Sequence, residues 1–218
     1  VIMTKVKICG LRRKEDIDCV NLYKPQFAGF VFAESRRKVS KETARMLIKE
    51  LLPQIKSVGI FVNENENVVA EIAEYTGLDC VQIHGDETPE YVERLKGLLG
   101  KATKKNIEIW KAIRVKNKES LKIMSDFDAD AFLLDAYVEG SYGGAGAVFD
   151  WQIARDIASR HDRIILAGGL NPENVKAAVA RVKPYGVDVS SGVETDGFKD
   201  VGKIRDFINR VREADEML

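Results

Sequence analysis

Cysteine is scarce in this sequence: three occur, Cys9, Cys19 and Cys80. They are too few and too scattered for a disulfide framework, and no pair has metal-site spacing. A surplus of either charge is missing too, because 34 Lys and Arg meet 34 Asp and Glu, for a formal net charge of zero. Nucleic-acid backbones are bound by clustered positive charge, so nucleic acid is not expected as the principal partner. Nothing approaches the roughly 18 consecutive apolar residues of a membrane span. The start, Val1-Ile2-Met3-Thr4-Lys5, lacks the charged-then-apolar layout of a signal peptide. Glutamine is confined to Gln26, Gln54, Gln82 and Gln152 while Lys, Arg and Glu are plentiful. That bias is common in proteins from hot environments. A soluble, reduced, cytoplasmic protein is the expectation.

What is there suits one large domain: 218 residues, 45% hydrophobic and 31% charged. Short apolar runs alternate with longer amphipathic stretches throughout. The runs are Val6–Cys9, Phe27–Phe32, Val58–Val62, Cys80–Ile83, Ile107–Ile113, Ala131–Leu134, Ile164–Ala167 and Gly186–Val189. Each is apolar on both faces, as in a parallel sheet covered on both sides. Between them the period becomes helical. Ala44, Leu47, Ile48, Leu51 and Leu52 make one stripe, and Val68, Val69, Ile72 and Ala73 another. Ser40, Thr88-Pro89 and Asn171-Pro172-Glu173 read as helix starts. Gly97–Lys105 is the loosest stretch.

Eight strand-then-helix units predict a single (β/α)8 barrel over residues 1–218, compact beside the usual size of about 250 residues. The rival, a doubly wound sheet, carries phosphate-binding glycines after its first strand. Here Cys9-Gly10-Leu11-Arg12-Arg13 stands there instead.

In such a barrel the functional residues lie at the C-terminal ends of the strands. The seventh strand ends in Ala167-Gly168-Gly169-Leu170 and the eighth in Asp188-Val189-Ser190-Ser191-Gly192. Glycines and small hydroxyls at those two places suggest a phosphate site. On the first strand, Lys5, Lys7 and Cys9 share the inward face. A lysine beneath a cysteine favours thiolate, so Cys9 is a candidate nucleophile or general base. On the sixth, Asp135 follows four apolar residues; partial desolvation would suit it to be a general acid. The segment beyond, Gly140–Gly146, reads as flexible. Arg37 could clamp a substrate carboxylate. For His84 a hydrogen-bonded structural role weighs at least as much as a catalytic one, and it is placed with Asp188 among the residues expected to bind substrate. Asp188 is expected to pair with Lys7.

These residues together resemble phosphoribosylanthranilate isomerase. The resemblance is carried by Lys7-Ile8-Cys9-Gly10-Leu11, Val58-Gly59-Ile60-Phe61-Val62, Val81-Gln82-Ile83-His84-Gly85, Leu133-Leu134-Asp135 and Gly143-Gly144-Ala145-Gly146. Ala167-Gly168-Gly169-Leu170-Asn171-Pro172-Glu173-Asn174-Val175 and Val187-Asp188-Val189-Ser190-Ser191-Gly192-Val193-Glu194 complete it, in order, from residue 5 to 194. It implies a cofactor-independent Amadori rearrangement in tryptophan biosynthesis, with no metal. By the same resemblance Cys9 is the general base, Asp135 the general acid, and Arg37 holds the anthranilate carboxylate. The glycine-serine loops hold the phosphate. Two departures concern substrate contacts: Ala33-Glu34 stands where the family commonly has three residues, and Ala145 where it usually has threonine.

The alternatives are sibling phosphosugar enzymes and a phosphate-binding module without catalysis. An epimerase would need metal-binding histidines at strand ends, where only His84 stands. An indole-glycerol-phosphate synthase would need a catalytic lysine, for which Lys111 is available. Apolar residues on the outer helices are too evenly spread to choose between monomer and homodimer.

Overall fold

Alternation along each strand decides what faces the barrel interior. Val6 and Ile8 are completely buried against the helices, while Lys7 and Cys9 point inward on the same strand. The computed structural model describes residues 3–115, 123–135 and 151–218. Its strands are β1 (Lys5–Cys9), β2 (Phe27–Val31), β3 (Lys56–Phe61), β4 (Cys80–Ile83), β5 (Glu108–Arg114), β6 (Ala131–Asp135), β7 (Ile164–Ala167) and β8 (Gly186–Val189). All pair in parallel and in chain order, and β8 returns to β1, closing the barrel. The expected architecture is the observed one.

Helices α1 (Lys14–Tyr23), α2 (Lys41–Lys49), α3 (Glu66–Thr76) and α4 (Pro89–Ala102) follow the first four strands. Helices α5 (Trp151–Ala158), α6 (Val175–Val182) and α7 (Val201–Asp215) belong to the last three units. Between β5 and β6 the described residues hold only a 3-10 turn at 123–126, where the repeat predicts a helix. Ser40 and Thr88 cap α2 and α4 by accepting from the Thr43 and Tyr91 N–H groups. Asn171 accepts from the N–H groups of Glu173 and Asn174, each at 3.0 Å, and so caps a turn that precedes α6.

Three local expectations change. Gly97–Lys105 is not loose, since α4 continues to Ala102 with Leu95 and Leu99 buried beneath it. The buried stripe of α3 is Val69, Ala70, Ala73 and Thr76, and Val68 is exposed. Helix α2 stops at Lys49, so Leu51 and Leu52 pack from the turn beyond it.

Inside the barrel, Phe27 meets Trp110 edge-on with centroids 4.8 Å apart. The Trp110 indole donates to Glu108 (3.0 Å). This aromatic pair fills the interior below the C-terminal mouth. Among the described residues no helix is long and apolar enough to cross a membrane.

Candidate active site

A cavity of about 320 Å³ opens at the C-terminal ends of the strands. Strand parity explains its lining. Cys9, Val31, Ile60 and Asp135 are the last inward residues of β1, β2, β3 and β6; Ala167 closes β7, and Gln82 is the last inward residue of β4. Of the ten residues expected in the site, nine line this cavity: Cys9, Arg37, His84, Asp135, Gly168, Gly169, Asp188, Ser190 and Ser191. Gly192 stands just behind. A side chain there would run into the Leu170 carbonyl and come within 3.0 Å of Asn171, so glycine lets the β8 turn close onto the β7 loop.

Lys7 and Asp188 pair as expected, Nζ to Oδ1 at 3.0 Å, with the Lys7 side chain 1% exposed. Burial works against the thiolate expected at Cys9. Burial pushes the thiol above its ordinary range; Lys7 pulls it down and Asp188 pushes it back up. The lysine's charge is shared between the carboxylate and the thiol. Space around the thiol is created by Gly29 on the neighbouring strand. A Cβ there would lie 2.9 Å from Cys9 Sγ and 3.0 Å from its Cα. Gly29→Ala should therefore displace the thiol and lower kcat by about tenfold or more, because misplacement by an ångström can cost a hundredfold. Steady-state kinetics beside a melting curve would check this; unchanged kcat in a folded variant would show that the thiol's placement is uncritical.

Asp135 ends β6 at the mouth, and its side chain is 32% exposed. The side chain is thus only partly covered, because four apolar predecessors bury the strand more fully than its last residue. Instead its Oδ2 lies 3.2 Å from His84 Nε2. Gln82 Nε2–H donates to His84 Nδ1 at 3.0 Å. The turn carrying His84 is pinned from behind: Glu87 accepts from the N–H groups of Gly85 and Asn63 and from Lys111 Nζ (2.7 Å). Lys111 also donates to the Gly85 carbonyl. The lysine that a synthase would need is buried in this brace, outside the cavity lining.

Arg37 reaches the cavity across Gly10, whose φ of +83° and missing side chain let the arginine Cδ approach; an added Cβ would stand 2.5 Å away. The guanidinium is held by Glu194, Nε to Oε1 at 2.7 Å and Nη2 to Oε2 at 2.8 Å. Glu194 also binds Arg36 (2.9 Å) and the buried Lys199 (2.8 Å). Burial raises its carboxyl, but Arg37 and Lys199 outweigh burial and hold it at about 2. Burial also draws Lys199 below the ordinary lysine range. Glu194 and Lys199 lie on a small hairpin, β9 (Glu194–Thr195) and β10 (Phe198–Lys199), that sequence reading missed. Its signal was present: Asp196-Gly197 is a favoured two-residue turn, and both residues have positive φ, 52° and 78°. Arg12 and Arg13 stack on Phe198 at 4.7 and 4.1 Å and dock the hairpin beside the mouth.

At the end expected to take phosphate, Gly168 and Gly169 adopt φ of 83° and 66°, bringing main chain to the cavity surface. Ser190 Oγ donates to the Cys9 carbonyl (3.1 Å), tying the β8 turn to β1. The segment Gly140–Gly146, with Ala145, lies outside the described residues. Among the described residues no group of three or more His, Cys, Asp or Glu side chains could hold a metal ion.

The family model for N-(5'-phosphoribosyl)anthranilate (PRA) isomerase matches residues 6–210. The N-(5'-phosphoribosyl)anthranilate isomerase of Acetivibrio thermocellus is 84% identical over 213 residues, 98% of each chain. The crystal structure of phosphoribosyl anthranilate isomerase from Thermotoga maritima superposes with a TM-score of 0.85 at 36% identity, covering 97% of this chain and 100% of that one. A further member, solved in complex with reduced 1-(o-carboxyphenylamino)-1-deoxyribulose 5-phosphate, has a TM-score of 0.81 at 34% identity, with 97% and 100% covered. With a closed eight-stranded barrel and this match along nearly its whole length, the chain belongs to the N-(5'-phosphoribosyl)anthranilate isomerase family, enzymes of tryptophan biosynthesis.

Proposed function

We propose that Cys9 and Asp135 are the base and acid of a cofactor-independent Amadori rearrangement in this chain. It converts N-(5-phosphoribosyl)anthranilate to 1-(2-carboxyphenylamino)-1-deoxyribulose 5-phosphate. The carrying observation is that one cavity is lined by a buried thiol and a mouth carboxylate from different strands, with glycine and serine loops at its β7–β8 side. Asp135 gives a proton to the ribose ring oxygen and opens the sugar. Cys9, as thiolate, then takes the proton from C2. Burial opposes the thiolate, and Lys7 and Lys199 are the cations that offset it. Arg37, with one edge fixed on Glu194, offers its remaining Nη1 edge to the anthranilate carboxylate. Gly168, Gly169, Ser190 and Ser191 receive the phosphate, with Gly192 closing the turn behind them. Asp188 holds Lys7 under the thiol, and His84 contacts Asp135 at the substrate's edge. The chain is read as a cytoplasmic monomer or homodimer, one Thermotoga maritima relative being described as dimeric.

The test is a fluorescence time course. Substrate is generated in situ from anthranilate and phosphoribosyl pyrophosphate with a transferase, and its loss is followed on adding this protein. Wild type should consume it rapidly. Cys9→Ala should be slower by about a thousandfold, within the usual range for a lost acid–base group. Near-normal turnover by that variant would remove Cys9 from the chemistry.

A further inference from the structure

Gln82 carries an anomaly. Its side chain is buried on β4, 1% exposed, yet Oε1 has no hydrogen-bond partner among the described residues. A buried amide oxygen left unpaired bears its full desolvation penalty, and such an atom calls for an explanation. The other end of the same amide is engaged: Nε2 faces His84 Nδ1 at 3.0 Å, and His84 Nε2 faces Asp135 Oδ2 at 3.2 Å. This arrangement fits one protonation state. If Gln82 donates to Nδ1, the ring proton is on Nε2 and is donated to an ionised Asp135.

That state holds no proton for a general acid to give. We propose that the Gln82 amide is a two-position relay, turning over when the His84–Asp135 pair takes up the proton destined for the substrate. An added proton leaves either an imidazolium beside a carboxylate, or a neutral ring beside a carboxylic acid that donates to Nε2. In both forms Nδ1 bears a hydrogen, and the Nε2 donor of Gln82 would then face another donor. Rotating the amide half a turn presents Oε1 to Nδ1–H instead. Oxygen and NH2 are nearly the same size, so the turn needs no repacking; Oε1 gains a partner as Nε2 gives up its own, and what drives the turn is removal of the donor-against-donor contact. On delivery the Asp135 O–H bond breaks and an O–H bond forms on the sugar ring oxygen. Delivery leaves the ring with its hydrogen on Nδ1; solvent water takes that proton as another water gives one to Nε2, which restores the Nε2–H tautomer, and the amide swings back.

The charged surroundings of the pair are defined. Arg114 of β5 stands beside Asp135 in register, and the Lys111–Glu87 pair braces the turn behind His84. Cys9, Arg37 and Asp188 line the rest of the cavity. None of these touches Nδ1, whose partner is Gln82.

The inference rests on Asp135 being the acid, and the experiment separates the two. Nitrogen-15 NMR of the ring nitrogens, assigned to His84 by comparison with His84→Asn, follows protonation of Nδ1 with pH. In the wild type, the scalar coupling across the Gln82 N–H to Nδ1 hydrogen bond should vanish as Nδ1 takes up its proton. Gln82→Met, which loses the bond to Nδ1 in both states, should lower the midpoint by up to about one pH unit, because the bond lost to the charged ring is the stronger one, and should lower kcat by about tenfold. Gln82→Glu, which keeps an acceptor and adds negative charge, should raise the midpoint. A coupling that persists through the titration, or midpoints that coincide or move the same way in both variants, would overturn the relay. Normal kcat in Asp135→Asn would overturn the acid assignment itself, whatever the relay does.

Discussion

Asp135→Asn should lower kcat by about a thousandfold, the middle of the range for a positioned general acid, and leave affinity for a phosphate-bearing ligand intact if Asp135 is the proposed acid. Asparagine has the same shape and keeps an oxygen for His84 Nε2–H, so the 3.2 Å contact survives. What disappears is a proton that can leave toward the ring oxygen. Phosphate affinity is unaffected because its expected donors belong to the loops after β7 and β8, not to β6. Turnover from the fluorescence assay, together with titration of a reduced product analogue, reads the two quantities separately. A raised KM at unchanged kcat would make Asp135 a binding residue, and the acid would have to be sought elsewhere in the cavity.

Glu194→Ala destabilises the fold by about 3–5 kcal/mol, the cost of removing one member of a buried ion pair. Lys199, 1% exposed on its side chain, would be left in the interior with the Ser190 carbonyl as its hydrogen-bond partner among the described residues. Arg37 loses both of its hydrogen bonds at once, so KM should rise as well. The acid side carries a sign that can be checked. The Glu194 carboxyl is held at about 2, below the ordinary glutamate value of 4.5. Its contribution is therefore complete above that ordinary value and drains away as the pH falls toward about 2. Urea unfolding of wild type and Glu194→Gln should show their stability gap widest near neutrality and narrowing steadily below pH 4.5. A gap independent of pH would mean that shape, and not charge, accounts for the loss.

Most of this barrel was legible because its strands are short, apolar on both faces and bounded by polar or glycine residues. β4, β7 and β8 begin and end where the pattern places them. Nine of the ten expected site residues share a cavity because strand parity and the strand-end rule are both geometric. Chemistry was harder to read than position. The pairing of Lys7 with Asp188 was foreseen, yet Asp188 shares the charge credited with ionising Cys9 and burial opposes it. Asp135 follows a buried run but stands at the rim, and a run of residue types does not show where the mouth begins. Gln82 and Glu194 were overlooked because amides and glutamates are common on surfaces. Only the barrel's closure reveals that these two are enclosed.

The pairing of β1 with β8 has a consequence for how the molecule is assembled. Lys7 and Asp188 are separated by 181 positions, and Thr4 binds Asp215 across 211. Contacts of such sequence separation form late, since the whole intervening loop must first be closed. A chain leaving the ribosome presents Lys7 and Cys9 long before Asp188, and must hold the lysine without that partner until β8 is made. The thiol's electrostatic setting is thus a property of the finished chain. Partial products carry an unpaired lysine on an unclosed edge, open to mispairing and to chaperones.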